Sequence, residues 1–517
     1  MELLLLLAVI VPAAGAVITI FGMRKWVALF CSGISLGLLC MLVPQAAEPV
    51  EITYQIQMNP LQVRVIVDAF SLLFALLVSL LFLMAIIYSR RESSSYYFLL
   101  LCNLAVLLGI AFSNELLLFY VFLEMSAVIT YFLVIHKRTD ESIAAGFKYL
   151  VMNMGGAVFV LLGILLKGDS LGALLFIAGC LVKAGSFPVH VWLADAHPAA
   201  PSAVSALLSG AVVKTGVYGI LRFAPAFAVD VSVVIPLALA SMLLGVFLAL
   251  LQTDVKRILA YHTISQVGFV LLGLGLQSTA GISGGILHMV NHGIFKALLF
   301  LCMGCVIKAT GERNLHHLGG LKSKMPLTAA ACLIGALSIS GIPPFNGFVS
   351  KTILFHGVES DTVKMLFVIT CAGTVASFIK LFRHTFLLNP GVLPKKIPAS
   401  MKLPLIILSG FCIVLGVFPS IVLNFTGYTF EFQLTECATE ILVTVGLGSA
   451  IYWIGLKTGV ITNPPHLRVS IDRIFCGMGK ITDYSSSVLS NVLTQDINYY
   501  ATYMVLFLVL LFFLFTL

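Results

Sequence analysis

Charge is what this sequence lacks. Asp, Glu, Lys and Arg make up only 10% of its 517 residues, while apolar types make up 60%. A soluble domain of this size must cover its surface with polar side chains, so these proportions exclude one. The net charge of +8 comes from residues scattered over short loops, with no basic stripe. A nucleic-acid partner is therefore not expected. The eleven cysteines form a single CxxC, Cys302 and Cys305, inside an apolar run. A metal or iron–sulfur site needs about four such ligands, so they read as small core residues without a disulfide framework. Glycine-rich nucleotide loops and haem-ligating histidine pairs are missing too, and no cofactor is expected. The start, MELLLLLAVIVPAAG, has no basic flank like that of a secretory signal and reads as a first spanning helix.

What remains is a succession of apolar runs, each about 20 residues long. Mean hydropathy is +1.08. The fold class is an all-α polytopic membrane protein. About sixteen spans fit: 2–20, 26–44, 68–88, 96–112, 115–136, 145–166, 171–193, 202–222, 231–251, 258–276, 281–307, 327–357, 363–386, 402–424, 436–456 and 498–517. With the N-terminus outside, alternate loops hold Arg24/Lys25, Arg90/Arg91, Lys137/Arg138, Lys256/Arg257, Lys308/Arg313/Lys322/Lys324, Lys395/Lys396 and Lys457/Arg468/Arg473/Lys480. The opposite loops hold little beyond Arg64, Lys167, Arg222 and Lys364. By the positive-inside rule the chain then sits in the cell membrane with both termini outside. Alternation in EITYQIQM and LQVRVIV predicts an outer hairpin within 45–67. Apolar residues at helical spacing predict an amphipathic surface helix within 458–497.

Two spans are interrupted. The seventh reads CLVKAGSFPVHVWLADAHP and the twelfth LSISGIPPFNGFVSKTILF. Proline removes a backbone donor, and irregular backbone at membrane depth survives only when packed in protein or lining a cavity. The breaks lie five spans apart, each with a lysine, Lys183 or Lys351. Five is odd, which predicts a five-helix unit repeated in inverted orientation, with an ion site at the breaks. The organisation expected is N-terminal helices with a hairpin (1–95), a first repeat (96–222), a second (231–390) and C-terminal helices (400–517).

Ionisable residues inside apolar spans are expensive and need a partner, water or a function. Glu124 lies nine residues into its span, about 14 Å deep. Lys183 and Lys214 are its natural cationic counterparts, and Lys183 can pair with Glu124 in one state and release it in another. His288, His292 and Lys296 recur at i, i+4, i+8 on one helix face. Histidine titrates near neutrality and suits a proton relay. A metal bridging the two histidines has no evident third ligand. Lys351, after the second break, is placed to carry a proton out. Asp254, Lys256 and Arg257 read as inner-edge anchors. His190, Asp195 and His197 are candidates for an inner entrance.

The stretches FYVFLEMSAVITYFLV, LVKAGSFPVHVWLADAHPAAPSAVSALLSGAVVKTGVYGILR, DVKRILAYHTISQVGFVLLG, HMVNHGIFKALLFLCMG and SISGIPPFNGFVSK together resemble one family. It comprises the antiporter-like subunits shared by respiratory complex I, membrane-bound hydrogenases and multi-subunit sodium/proton antiporters. The likeness covers roughly 70–390. It implies a fourteen-helix core with two inverted five-helix repeats, other membrane subunits as partners, and protons as cargo with sodium as the alternative. It places that family's fifth-helix glutamate on Glu124 and its seventh-, eighth- and twelfth-helix lysines on Lys183, Lys214 and Lys351. The YHTISQVG wording is similar to the D-type antiporter and hydrogenase branch. The spans after residue 435 exceed the shortest family pattern. A redox-complex subunit that binds quinone, or a structural scaffold, is the competing reading. No redox chemistry of its own is expected.

The orientation is testable by cysteine labelling in intact cells. Positions within 137–142 and 312–323 should react only from the cytoplasmic side, and positions within 48–58 from outside. The opposite pattern overturns the loop assignment.

Overall fold

The computed structural model describes residues 1–22, 24–45, 49–55, 62–90, 92–388, 392–429 and 434–461. Most of the amphipathic segment expected at 458–497, and the last span expected at 498–517, lie outside the described residues.

The chain opens with helices α1 (Glu2–Phe21) and α2 (Arg24–Leu42), then strands β1 (Val50–Gln55) and β2 (Gln62–Val67). Next come α3 (Ala69–Tyr88), α4 (Ser94–Phe112), α5 (Leu116–Val134), α6 (Asp140–Leu165) and the short pair α7 (Ser170–Ala184) and α8 (Val191–Ala199). They are followed by α9 (Ser202–Leu207), α10 (Lys214–Phe223), α11 (Ile235–Leu250), α12 (Val255–Gly275) and α13 (Thr279–Thr310). A second short pair is α14 (Pro326–Ser340) and α15 (Asn346–His356). The described chain closes with α16 (Asp361–Phe382), α17 (Ala399–Val417), α18 (Ser420–Leu423) and α19 (Leu434–Lys457). Among the described residues thirteen helical stretches are long and apolar enough to cross a membrane, and α7 and α14 are shorter apolar helices. The predicted hairpin is present: β1 and β2 pair antiparallel, Val50 opposite Val67 and Gln55 opposite Gln62. It rests on the end of α4 through a bridge from Val65 to Ser113.

Helix starts follow side-chain caps. The sixth span, expected from 145, begins at Asp140, because Thr139 and Ser142 form a reciprocal capping box there. Asp68 does the same for α3 with Ser71. Its carboxylate also takes two bonds from the Arg222 guanidinium, at 2.5 and 2.8 Å, tying the start of α3 to the end of α10. The 32-residue α13 is buried along almost its whole length, among α3, α9, α12, α14, α15 and α17. A helix that is apolar all round belongs in the interior.

The two interrupted spans end their first halves alike. Gly185 after α7 and Gly341 after α14 both adopt left-handed φ, +65° and +76°. Gly185 N–H donates to the Val182 carbonyl and Ser186 N–H to Leu181; Gly341 donates to Ser338 and Ile342 to Leu337. Each is a Schellman ending, which needs a residue without Cβ penalty at that place. Three residues beyond each glycine stands a cis proline, Pro188 or Pro344.

At the second break, a Cβ added to Gly347 would collide with the Ser338 carbonyl oxygen, backbone against backbone. Gly347→Ala should therefore lower the melting temperature of the detergent-solubilised protein by several degrees in a fluorescence size-exclusion assay. An unchanged melt would mean that the halves of the span can separate freely.

Candidate functional site

The relay candidates lie on helices α5, α7, α10, α13 and α15. Glu124 on α5 is half-buried. It sits within electrostatic reach of Lys183, at the end of α7, with no ion pair between them at 4 Å or less among the described residues. Lys183 is 3% exposed, and its ammonium has no hydrogen-bond partner among the described residues. It lies 5.9 Å from the centre of the Tyr149 ring.

Lys214 owes its position to a backbone irregularity. The eighth span, read as one helix, is split by a π-turn at Leu208–Val212. Such insertions free backbone groups, and the Lys214 ammonium donates to the Ser209 carbonyl at 2.7 Å. His292, Lys296 and His288 are all within its electrostatic reach.

On α13 the spacing of four residues stacks the rings of His288 and His292, with centres 6.3 Å apart and planes 7° apart. His288 Nδ1 meets Ser350 Oγ at 2.9 Å, and Nε2 meets Gln266 Oε1 at 3.2 Å. With both nitrogens engaged, His288 is poorly placed to share a metal with its neighbour. Among the described residues no group of three His, Cys, Asp or Glu could hold one. Both nitrogens of His292 lack a hydrogen-bond partner among the described residues. Lys296 donates to the Leu259 carbonyl and faces the Phe300 ring at 5.1 Å. Lys351 on α15 donates to the Ile339 carbonyl, at the end of α14, over 2.7 Å. Its charge acts on His288 and His262.

Three buried groups were missed by reading the sequence. His262 on α12 is fully buried, with Nε2 2.7 Å from Ser377 Oγ. Lys380 donates to the carbonyls of Leu250 and Gln252, at 2.8 and 2.7 Å, where α11 ends. Lys256, expected as an inner-edge anchor, is 2% exposed and donates to the Ala200 carbonyl at 2.7 Å, at the end of α8. Its neighbour Asp254 caps α12 and pairs with Arg313 at 2.7 Å. A signal existed for Lys256: the first turn of an otherwise apolar helix turns one residue in three or four inward.

The inner-entrance candidates separate. Asp195 on α8 is paired with Lys148 of α6 at 2.8 Å and Arg257 of α12 at 3.1 Å. His190 stacks on Phe187, and His197 stacks on Phe300 with both ring nitrogens unpartnered among the described residues.

This arrangement has known relatives. The family model described as NADH:quinone oxidoreductase/Mrp antiporter, transmembrane, matches residues 113–167 and 166–379, more than half of the chain. The chain belongs to this family. The matched region contains every relay candidate from Glu124 to Lys351. Hydrogenase-4 component B of Escherichia coli K12 is 31% identical over 412 residues, covering 68% of this chain and 61% of that protein. One of the Na(+)/H(+) antiporter subunits of Bacillus subtilis 168 is 33% identical over 403 residues, covering 66% of this chain and 50% of that protein. The chain thus spans about half to three fifths of the length of these curated relatives. A chain of the Mrp complex from Dietzia sp. DQ12-45-1b superposes with a TM-score of 0.78 at 25% identity, over 87% of this chain and 100% of that one.

The contrast between Lys183 and Lys214 gives a prediction. Lys183→Met removes a buried ammonium that no acceptor holds, and should leave stability unchanged or raised. Lys214→Met leaves the Ser209 carbonyl short of a donor and should destabilise by about 1–3 kcal/mol. Thermal melts of the two purified variants in detergent decide it; equal losses would show that Lys183 is held as firmly as Lys214.

Proposed function

We propose that this chain is an ion-translocating, antiporter-like subunit of a multi-subunit membrane complex. It carries protons, with sodium as the alternative cargo, through Glu124, Lys183, Lys214, His292, His288, Lys296 and Lys351. One observation supports this above the rest: seven ionisable side chains, six of them almost fully buried, lie on five helices, with Glu124 in electrostatic contact with Lys183, Lys214 in contact with His292, His288 and Lys296, and His288 in contact with Lys351. A scaffold has no need of such a row, since apolar residues of the same volume would pack at lower desolvation cost. The names of the relatives, a hydrogenase component and an antiporter subunit, favour membrane subunits as partners.

The repeat organisation is part of the proposal. Residues 96–222 and 231–390 form two inverted five-helix units, preceded by 1–95 and followed by 400–517. The matching Schellman endings at Gly185 and Gly341 support it. So does the loop charge, which puts the chain across the cell membrane about sixteen times with both termini outside.

In this scheme Glu124 and Lys183 form the switchable input. Lys183 without an acceptor is a cation poised to move toward Glu124. Lys214 receives the resulting change of field and passes a proton to the stacked histidines. Lys351 is the output.

The test is ion transport by the assembled complex in everted vesicles. Glu124→Gln, Lys183→Ala and Lys351→Ala should each reduce transport at least tenfold while the protein still inserts. The Lys183→Ala/Lys351→Ala double variant should be no worse than either single one. Wild-type transport by Glu124→Gln, or additive partial losses, would rule out a serial relay.

A further inference from the structure

A cavity of about 50 Å³ lies beside Lys351, beyond the end of the row described above. That is room for roughly three or four water molecules. Gly341 and Ile342 of the second break form one side, with Lys351 of α15 and Cys371 of α16 next to them. The remaining side comes from α19, through Glu440 and Thr444. Among the lining residues Lys351 is the one amine, Glu440 the one carboxyl and Cys371 the one thiol.

Glu440 was not anticipated from the sequence, and it lies outside the stretch matched by the family model, which ends at 379. Its depth matches that of Lys351. Lys351 is five residues before the end of α15 at His356, and Glu440 is six residues after the start of α19 at Leu434. At 1.5 Å per residue both are about 8–9 Å from the loop ends of their helices. The loop charge puts both of those ends, after His356 and before Leu434, on the outer side. An acid and a base at equal depth, lining one small and mostly apolar space, are placed for proton exchange.

We infer that Glu440 accepts the proton leaving Lys351, through water in this cavity, and releases it to the outer face. In the first step an N–H bond of the Lys351 ammonium breaks and an O–H bond forms on the Glu440 carboxylate. Neutral amine and neutral acid result. In the second step water at the outer mouth takes the proton, and the carboxylate is restored. The helix beyond the fourteen-helix core thus contributes a working part of the path. Cys371 stands beside the path without carrying the proton, since a thiol is a weak hydrogen-bonding group. The inference rests on the relay proposed above.

The experiment uses the complete complex in its native membranes. Dicyclohexylcarbodiimide modifies protonated carboxyls in apolar surroundings, and peptide mass spectrometry reads its attachment to Glu440. Lys351→Met removes the neighbouring cation, so labelling of Glu440 should rise severalfold. In parallel, Glu440→Gln should lower ion transport at least tenfold, and Glu440→Asp should keep most of it. Labelling indifferent to Lys351→Met, or full transport by Glu440→Gln alongside an inactive Lys351→Met, removes Glu440 from the path and leaves the relay intact. Full transport by Lys351→Met removes the relay and this inference with it. If Glu440→Gln fails to assemble, the labelling comparison decides alone.

Discussion

The architecture depends on one recurring contact, a buried lysine ammonium donating to a backbone carbonyl that a helix has left unpaired. Lys214 binds Ser209 in a π-turn, Lys351 binds Ile339 at the end of α14, and Lys256 binds Ala200 at the end of α8. Lys380 binds two carbonyls where α11 stops, and Lys25 binds those of Ile87 and Ser89 where α3 stops. In an apolar bundle a carbonyl without a donor and a cation without an acceptor are each costly. Together they relieve each other, and the negative end of the helix dipole favours the cation further. Interruptions that would weaken a membrane helix thereby become sockets for charge.

Lys183 departs from this pattern. Its own helix ends one residue later, but the Schellman turn at Gly185 and Ser186 consumes the carbonyls of Leu181 and Val182. Trp192 Nε1 also donates to Val182 at 3.0 Å. Nothing is left for the ammonium except the Tyr149 face and the field of Glu124. The backbone therefore fixes which lysines are held by the scaffold and which one answers to a carboxylate.

Much of this was legible in the sequence, because the bilayer permits few backbone solutions. Apolar runs located the helical spans of the described residues, period-two alternation the hairpin, and glycine with proline both breaks. The Glu, Lys and His residues in mid-span stood out because hydropathy there is otherwise unbroken. Lys380 did not, since a lysine in the last turn of a helix can reach water or turn inward, and only packing against α11 decides. His262 was hidden by its own motif, YHTISQVG, in which a histidine passes for a core residue until Ser377 is seen beside it. The π-turn before Lys214 leaves no periodicity signal at all, as it adds a single residue to a helix whose apolar pattern runs all round. Glu440 belongs to a helix whose partner, α16, is about seventy residues earlier in the chain.

The alignment of His288, His292 and Lys296 along α13 bears on how the molecule responds to voltage. From the first to the last of them the helix rises about 12 Å, against a hydrocarbon thickness of about 30 Å. A proton travelling that segment of an upright helix would traverse up to roughly two fifths of the membrane's electric field. A full crossing is worth about 2.3 kcal/mol per 100 mV, so this segment alone accounts for up to about 0.9 kcal/mol. Transfers between neighbouring helices at equal depth would feel almost none of it. In the proposed relay, any step taken along α13 would therefore feel the membrane potential as a brake or a drive, whereas a step between helices at equal depth would not.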